Sequence, residues 1–83
     1  MYKDYYKDLS RYFRLAIYRD EGSLLPEEYE ELNEILKRNN ASREIDDAYY
    51  NYLMGKITEE DYKKIHDYYY NDYENNVIKK LNL

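Results

Sequence analysis

Gly55-Lys56-Ile57-Thr58-Glu59-Glu60-Asp61-Tyr62 carries, within eight residues, the signals of one helix ending and another beginning. Gly55 can take the left-handed conformation that closes a helix without a Cβ penalty. Thr58 has a side-chain oxygen suited to the N-cap, and Asp61 stands where a capping box places its acid. Ile57 and Tyr62 then fall at N′ and N4, the spacing of a hydrophobic staple. Glu59, Glu60 and Asp61 fill the first turn, where carboxylates meet the positive end of the helix dipole.

The same reading recurs 33 residues earlier in Gly22-Ser23-Leu24-Leu25-Pro26-Glu27-Glu28-Tyr29, and the match continues through Leu32 over Ile65 and Glu34 over Asp67. Two copies are too few for a solenoid, and duplication and local convergence both account for the match. Leu25 cannot cap, and Pro26 at N1 compensates through its fixed φ and missing donor. The second joint is therefore expected to be the better defined.

Periodicity around these joints predicts four helices and no sheet, because no segment alternates with period two. The first, about residues 3–19, places Tyr2, Tyr6, Leu9, Phe13, Ala16 and Ile17 on one stripe, flanked by Tyr5 and Tyr12. The second, about 26–38, uses Leu25, Tyr29, Leu32 and Leu36, with Ile35 at the margin, and stops at Asn39-Asn40. The third, about 43–54, sets Ile45, Ala48, Tyr49, Tyr52 and Leu53 behind a Ser42 cap. The fourth starts at Thr58, uses Tyr62, Ile65, Tyr69, Tyr73 and Val77, and runs to about 79 unless Asn75-Asn76 ends it. The expectation is an all-α protein: one helical domain over 1–83, a compact small bundle of two hairpins with joints at Gly22 and Gly55.

The chain has 83 residues and no Cys, and 14 of its apolar residues are Tyr. The remaining 22 apolar side chains make a thin dry interior, and cores of this size contribute only about 3 to 5 kcal/mol without staples. Association with itself or with a larger partner is accordingly expected. One His, two Gly and no Cys leave no material for zinc sites, thiol chemistry, Ser/His triads or Gly-rich phosphate loops. Lone His66 reads as a boundary residue of the fourth helix, and pairs such as Glu27/Glu31 lack the carbonyl-lined loop that holds calcium. No enzyme activity, cofactor or metal is expected. The longest uncharged apolar run is Leu15-Ala16-Ile17 and the chain opens Met1-Tyr2-Lys3-Asp4, so neither a membrane span nor a signal peptide is expected, and a cytoplasmic location is. Abundant Lys, Tyr, Ile and Asn, all with AT-rich codons, point to a low-GC bacterium or one of its mobile elements.

Residues 49–70, opening Tyr-Tyr-Asn-Tyr-Leu-Met-Gly-Lys-Ile-Thr-Glu-Glu-Asp-Tyr-Lys-Lys-Ile, resemble the short bacterial C-terminal hairpin called SHOCT, whose core runs Leu-x-x-x-Gly-x-Ile-Thr-x-x-Glu-Phe/Tyr. The resemblance covers about a quarter of the chain. It implies a small interaction or oligomerisation module, with no catalytic residues to carry over.

Charge is distributed unevenly along the chain. The net charge is −5, yet the first 20 residues carry +2, with Lys3, Lys7, Arg11 and Arg14 on one stripe of the first helix beside Tyr18. Residues 20–36 hold seven acids and no base. In the second helix Glu27, Glu28, Glu30, Glu31 and Glu34 fan out opposite its apolar stripe. This is either a solvated face or a ridge of unpaired like charges that imitates phosphate spacing and attracts a basic groove. Pairing of the basic stripe with this helix, within the molecule or across a dimer, is the competing expectation. Acidic first turns make direct nucleic-acid binding an unfavoured reading. Tyr68, Tyr69 and Tyr70 cannot share one helical face, so Tyr68 and Tyr70 are expected to expose rings suited to a protein contact.

Together these features point to a small acidic binding protein whose partner-binding residues are Glu27, Glu28, Glu30, Glu31, Glu34, Tyr68 and Tyr70. The favoured class is an inhibitor of nucleic-acid-handling host enzymes, anti-CRISPR-like and carried by a phage or mobile element. A SHOCT-like oligomerisation adaptor and a helical bacteriocin-immunity or antitoxin protein are the rival readings.

Overall fold

The computed structural model describes the backbone of residues 2–81 and the side chains of residues 4–80. The side chains of Tyr2 and Lys3, placed above on the stripes of the first helix, lie outside the described residues. Four helices follow one another: α1 Tyr2–Asp20, α2 Pro26–Arg38, α3 Asn40–Leu53 and α4 Glu59–Tyr73. A π-helical turn, Glu74–Ile78, and a short turn, Lys79–Leu81, continue α4. No strand occurs among the described residues, and the fold is all-α. Contacts divide the chain into two compact units, 1–43 and 44–83, each built around one glycine joint.

The two joints carry the same backbone bonds at the 33-residue offset. Gly22 and Gly55 both take positive φ, 73° and 76°. The Gly22 N–H donates to the Arg19 carbonyl and the Ser23 N–H to the Tyr18 carbonyl, at 3.0 and 2.9 Å. Gly55 to Tyr52 and Lys56 to Asn51, at 3.0 and 2.8 Å, repeat the pattern, so both helices end in a Schellman motif. The following caps differ as expected. Thr58 Oγ1 accepts the Asp61 N–H at 3.1 Å, and Asp61 Oδ2 accepts the Thr58 N–H at 3.4 Å, which completes a capping box. At the first joint only the returning half exists, Glu28 Oε1 accepting the Leu25 N–H at 3.0 Å, because a leucine side chain has no acceptor.

In the first unit α1 and α2 run antiparallel: Asp8 faces Arg38, and Arg11 faces Glu31 and Glu28. Leu9, Tyr12 and Leu15 of α1 are buried, as are Leu24 before α2 and Leu32 and Ile35 within it. Each fully buried aliphatic side chain contributes about 1.5–3 kcal/mol. The expected stripes are corrected here. On α1 the buried face is turned toward Tyr12 and Leu15, leaving Phe13 and Ala16 half-buried and Ile17 56% exposed. On α2 Ile35 is fully buried, whereas Leu25 and Tyr29 are 53% and 45% exposed. Apolar and aromatic residues occupy most of the circumference of α1, so periodicity allows two stripes sharing Leu9. The one used buries three bulky side chains and brings Asp8 and Arg11 beside α2.

Asn39 joins three helices, and it corrects the expected start of α3. Its N–H closes α2 on the Ile35 carbonyl at 2.8 Å. Its Oδ1 accepts the Ser42 N–H at 2.9 Å and the Ser42 hydroxyl at 2.6 Å, so Asn39, not Ser42, is the N-cap of α3. Its Nδ2 donates to the Tyr5 carbonyl of α1 at 3.1 Å. Asn39 and Ser42 are buried, and among the described residues no buried side-chain polar atom lacks a hydrogen-bond partner.

In the second unit α3 and α4 meet through rings. Tyr62 lies against Tyr49 and stacks on Tyr52, with centroids 5.6 and 5.9 Å apart. Ile45 and Ala48 are buried, but α4 buries no residue fully. This unit is held by half-wet tyrosines, which can keep the hydroxyl in water while the ring packs. Asn75 and Asn76 do not stop the helix; they lie in the π turn, where Asn76 Nδ2 donates to the Asp72 carbonyl at 2.8 Å.

Candidate functional site

The acidic face of α2 is neither wholly solvated nor a ridge of five unpaired carboxylates: two of the five, Glu28 and Glu31, follow the competing expectation and pair with the basic stripe of α1 within the molecule. Glu31 receives a bidentate pair from Arg11, Nε at 2.8 Å and Nη2 at 3.0 Å. Glu28 lies 3.7 Å from the same guanidinium besides accepting the Leu25 N–H. Glu34 is 3.6 Å from Lys37, with both side chains well exposed. The hydrogen bond from Arg11 holds the Glu31 carboxyl below the usual carboxylate range, and the bond from Arg38 does the same for Asp8. The basic stripe of α1 thus serves the molecule's own packing through Arg11.

Glu27 and Glu30 remain, exposed and without an ion pair among the described residues. One turn of helix holds them beside Leu25 and Tyr29, whose exposure removes them from the expected core and adds them to the surface. Sequence reasoning missed this pair because its apolar spacing suits a buried stripe equally well. The visible signal was Ile35, which with Leu32 defines an alternative stripe on α2 displaced from Leu25 and Tyr29.

The two tyrosines singled out on α4 fare differently. Tyr68 is 73% exposed, its ring edge-on to Tyr69 at 5.0 Å. Tyr70 is half-buried and stacks on His66 with centroids 5.4 Å apart and planes 14° apart, so it is a packing residue as much as a surface one. Tyr69 is turned inward; burial, then the carboxylate of Glu44, raises its hydroxyl above the ordinary phenol range. His66 sits between the Tyr62 and Tyr70 rings, with Nδ1 3.2 Å from Asp67 Oδ1.

An open groove of about 450 Å³ in the first unit is lined by Asp4, Tyr5, Lys7, Asp8, Arg38 and Asn39. Arg38 and Asp8 already satisfy one another there, at 2.8 and 2.9 Å. Among the described residues no group of three or more His, Asp or Glu is placed to share a metal ion, and no helix is long and apolar enough to cross a membrane. The arrangement offers two kinds of surface chemistry: free carboxylates beside exposed apolar side chains on α2, and an exposed phenol on α4. No protein-family model, curated protein or solved structure matches this chain.

Proposed function

We propose that this chain is a small, non-enzymatic acidic inhibitor that works by occupying the surface of a larger protein. The partner class we favour is a nucleic-acid-handling host enzyme, met in the cytoplasm of a low-GC bacterium by a phage or mobile-element product of the anti-CRISPR kind. The observation that carries this reading is the exposed face of α2, where Glu27 and Glu30 stand unpaired next to Leu25 and Tyr29. Carboxylates on such a face can take the places of phosphates in a Lys/Arg-lined groove, and the flanking apolar side chains supply area that nucleic acid lacks.

The mimic is narrower than five acids. Glu28 and Glu31 are committed to Arg11, which leaves Glu27, Glu30 and Glu34 facing outward. The exposed Glu34–Lys37 contact is of the kind that contributes at most about 1 kcal/mol, so a basic partner can displace it. The test is a binding assay against the partner captured from a low-GC host, repeated with Glu27→Lys, Glu30→Lys and Glu34→Lys combined. Loss of binding, with the helical signal retained and with steep weakening in salt, supports the mimic. A triple reversal that binds normally in low and high salt refutes it.

The 73% exposure of Tyr68 favours a second reading, an oligomerisation adaptor of the SHOCT-like sort anchored by tyrosine. That adaptor tolerates the reversals and loses binding in Tyr68→Ala. An immunity or antitoxin protein is distinguished by the partner it brings down, a toxin.

A further inference from the structure

We propose that the last turn of α3 and the Gly55 joint form a docking surface of the second unit, built from none of the α2 residues, and that it takes a basic amphipathic helix. Tyr50, Leu53 and Met54 are all exposed, Leu53 by 57% and Met54 by 61%. Their spacing, i, i+3 and i+4, puts them on one face of α3, so they form one ledge and are not scattered singly. Large apolar side chains grouped at a helix end mark a contact surface more often than isolated ones do.

Charge decides the occupant. Asp47 precedes Tyr50 by three residues on the same face, and Glu59 and Glu60 open α4 just across the joint. All three are exposed and without an ion pair among the described residues, unlike Glu28 and Glu31 of α2. Lys56 is the single base of the joint itself. A second copy docking by twofold symmetry would set these carboxylates against their own equivalents, which is unfavourable. An anionic lipid surface is repelled by the same charges. A helix with Leu-type anchors at i, i+3 and i+4 and Lys or Arg along both borders satisfies the ledge and the acids together.

The test uses the full chain and a synthetic Leu/Lys amphipathic peptide of about 15 residues, with a scrambled peptide of identical composition as control. The amphipathic peptide is expected to shift amide resonances over residues 47–60. Leu53→Ser with Met54→Ser should weaken it by about tenfold or more. Asp47→Asn, Glu59→Gln and Glu60→Gln together should weaken it and flatten its salt dependence. Met54→Gln alone, expected to weaken binding by a smaller factor, keeps the test open where the double serine variant fails to fold. Equal binding of the scrambled peptide, shifts concentrated on residues 25–34, or affinity unchanged in the serine or glutamine variants would each overturn the proposal. Light scattering that finds self-association of the free chain abolished by Met54→Gln would also overturn it, by assigning the ledge to a second copy.

Discussion

The side-chain oxygen of Asn39 accepts the Ser42 hydroxyl at 2.6 Å and the Ser42 N–H at 2.9 Å, while the amide nitrogen of the same side chain reaches the Tyr5 carbonyl at 3.1 Å. One buried carboxamide therefore caps the first turn of α3 and fastens the α2–α3 junction to α1. Loss of a cap costs about 1 kcal/mol, and a buried partner left unsatisfied costs about 1–3 kcal/mol. Asn39→Ala is expected to destabilise the chain by about 2–3 kcal/mol in urea titration, and Ser42→Ala by about 1 kcal/mol. Asn39→Asp should keep the cap but turn a carboxylate oxygen toward the Tyr5 carbonyl, so it too should destabilise at neutral pH.

The two joint glycines offer a cleaner comparison. A Cβ built at Gly22 or Gly55 meets nothing within 4 Å, so the only penalty for a side chain is the left-handed backbone. Alanine is expected to cost about 1 kcal/mol at either position. Asparagine, though larger, should cost less than alanine because it tolerates positive φ. A thermal melt in which Asn is the worse substitute at both sites would contradict this account.

Acid should loosen the first unit. Hydrogen bonds from Arg38 and Arg11 lower the folded pKa of Asp8 and Glu31 respectively. A carboxyl depressed in the folded state lends its stability above the unfolded value, about 4, and that contribution is lost as pH falls through the lower folded value. Stability is therefore expected to decline below about pH 4, with Asp8→Asn flattening the decline more than Glu31→Gln because Asp8 is the less exposed. Denaturant midpoints measured from pH 2 to 7 check this.

Core register makes the fourth prediction. Leu15 is fully buried and Ile17 is 56% exposed. Leu15→Ala should cost about 2–5 kcal/mol, whereas Ile17→Ala should stay within about 1 kcal/mol. Equal costs would restore the stripe that periodicity alone suggested.

That contrast shows what was legible. Gly22, Gly55 and the Thr58–Asp61 box could be read from sequence because every partner lies within five residues, where covalent geometry leaves few choices. The facing of α1 could not, since tyrosines at 5, 6, 12 and 18 pack or stay wet with little difference in cost, and the choice between stripes rests on what α2 presents. Arg11 was legible as a possible partner for the acidic helix, but its choice of Glu31 depended on that facing. Asn39 looked like a helix terminator. Its bonds to Ser42 span only three residues and were hidden by the more obvious cap residue Ser42 itself, whereas its bond to Tyr5 became visible only with α1 in place.

Separation along the chain also orders events in time. Each Schellman closure bonds residues five apart, so the joints can form about as fast as helices and hairpins do, in microseconds. The Asn39–Tyr5 bond spans 34 residues and the Arg38–Asp8 pair 30, contacts that must wait for α1 and α2 to find each other. Bonds that close after the rate-limiting barrier act on the return journey. Asp8→Asn, which touches only the long-range pair with Arg38, should leave the refolding rate nearly unchanged and speed unfolding, so that this pair lengthens the time a molecule stays shut against a protease that cleaves faster than the chain recloses.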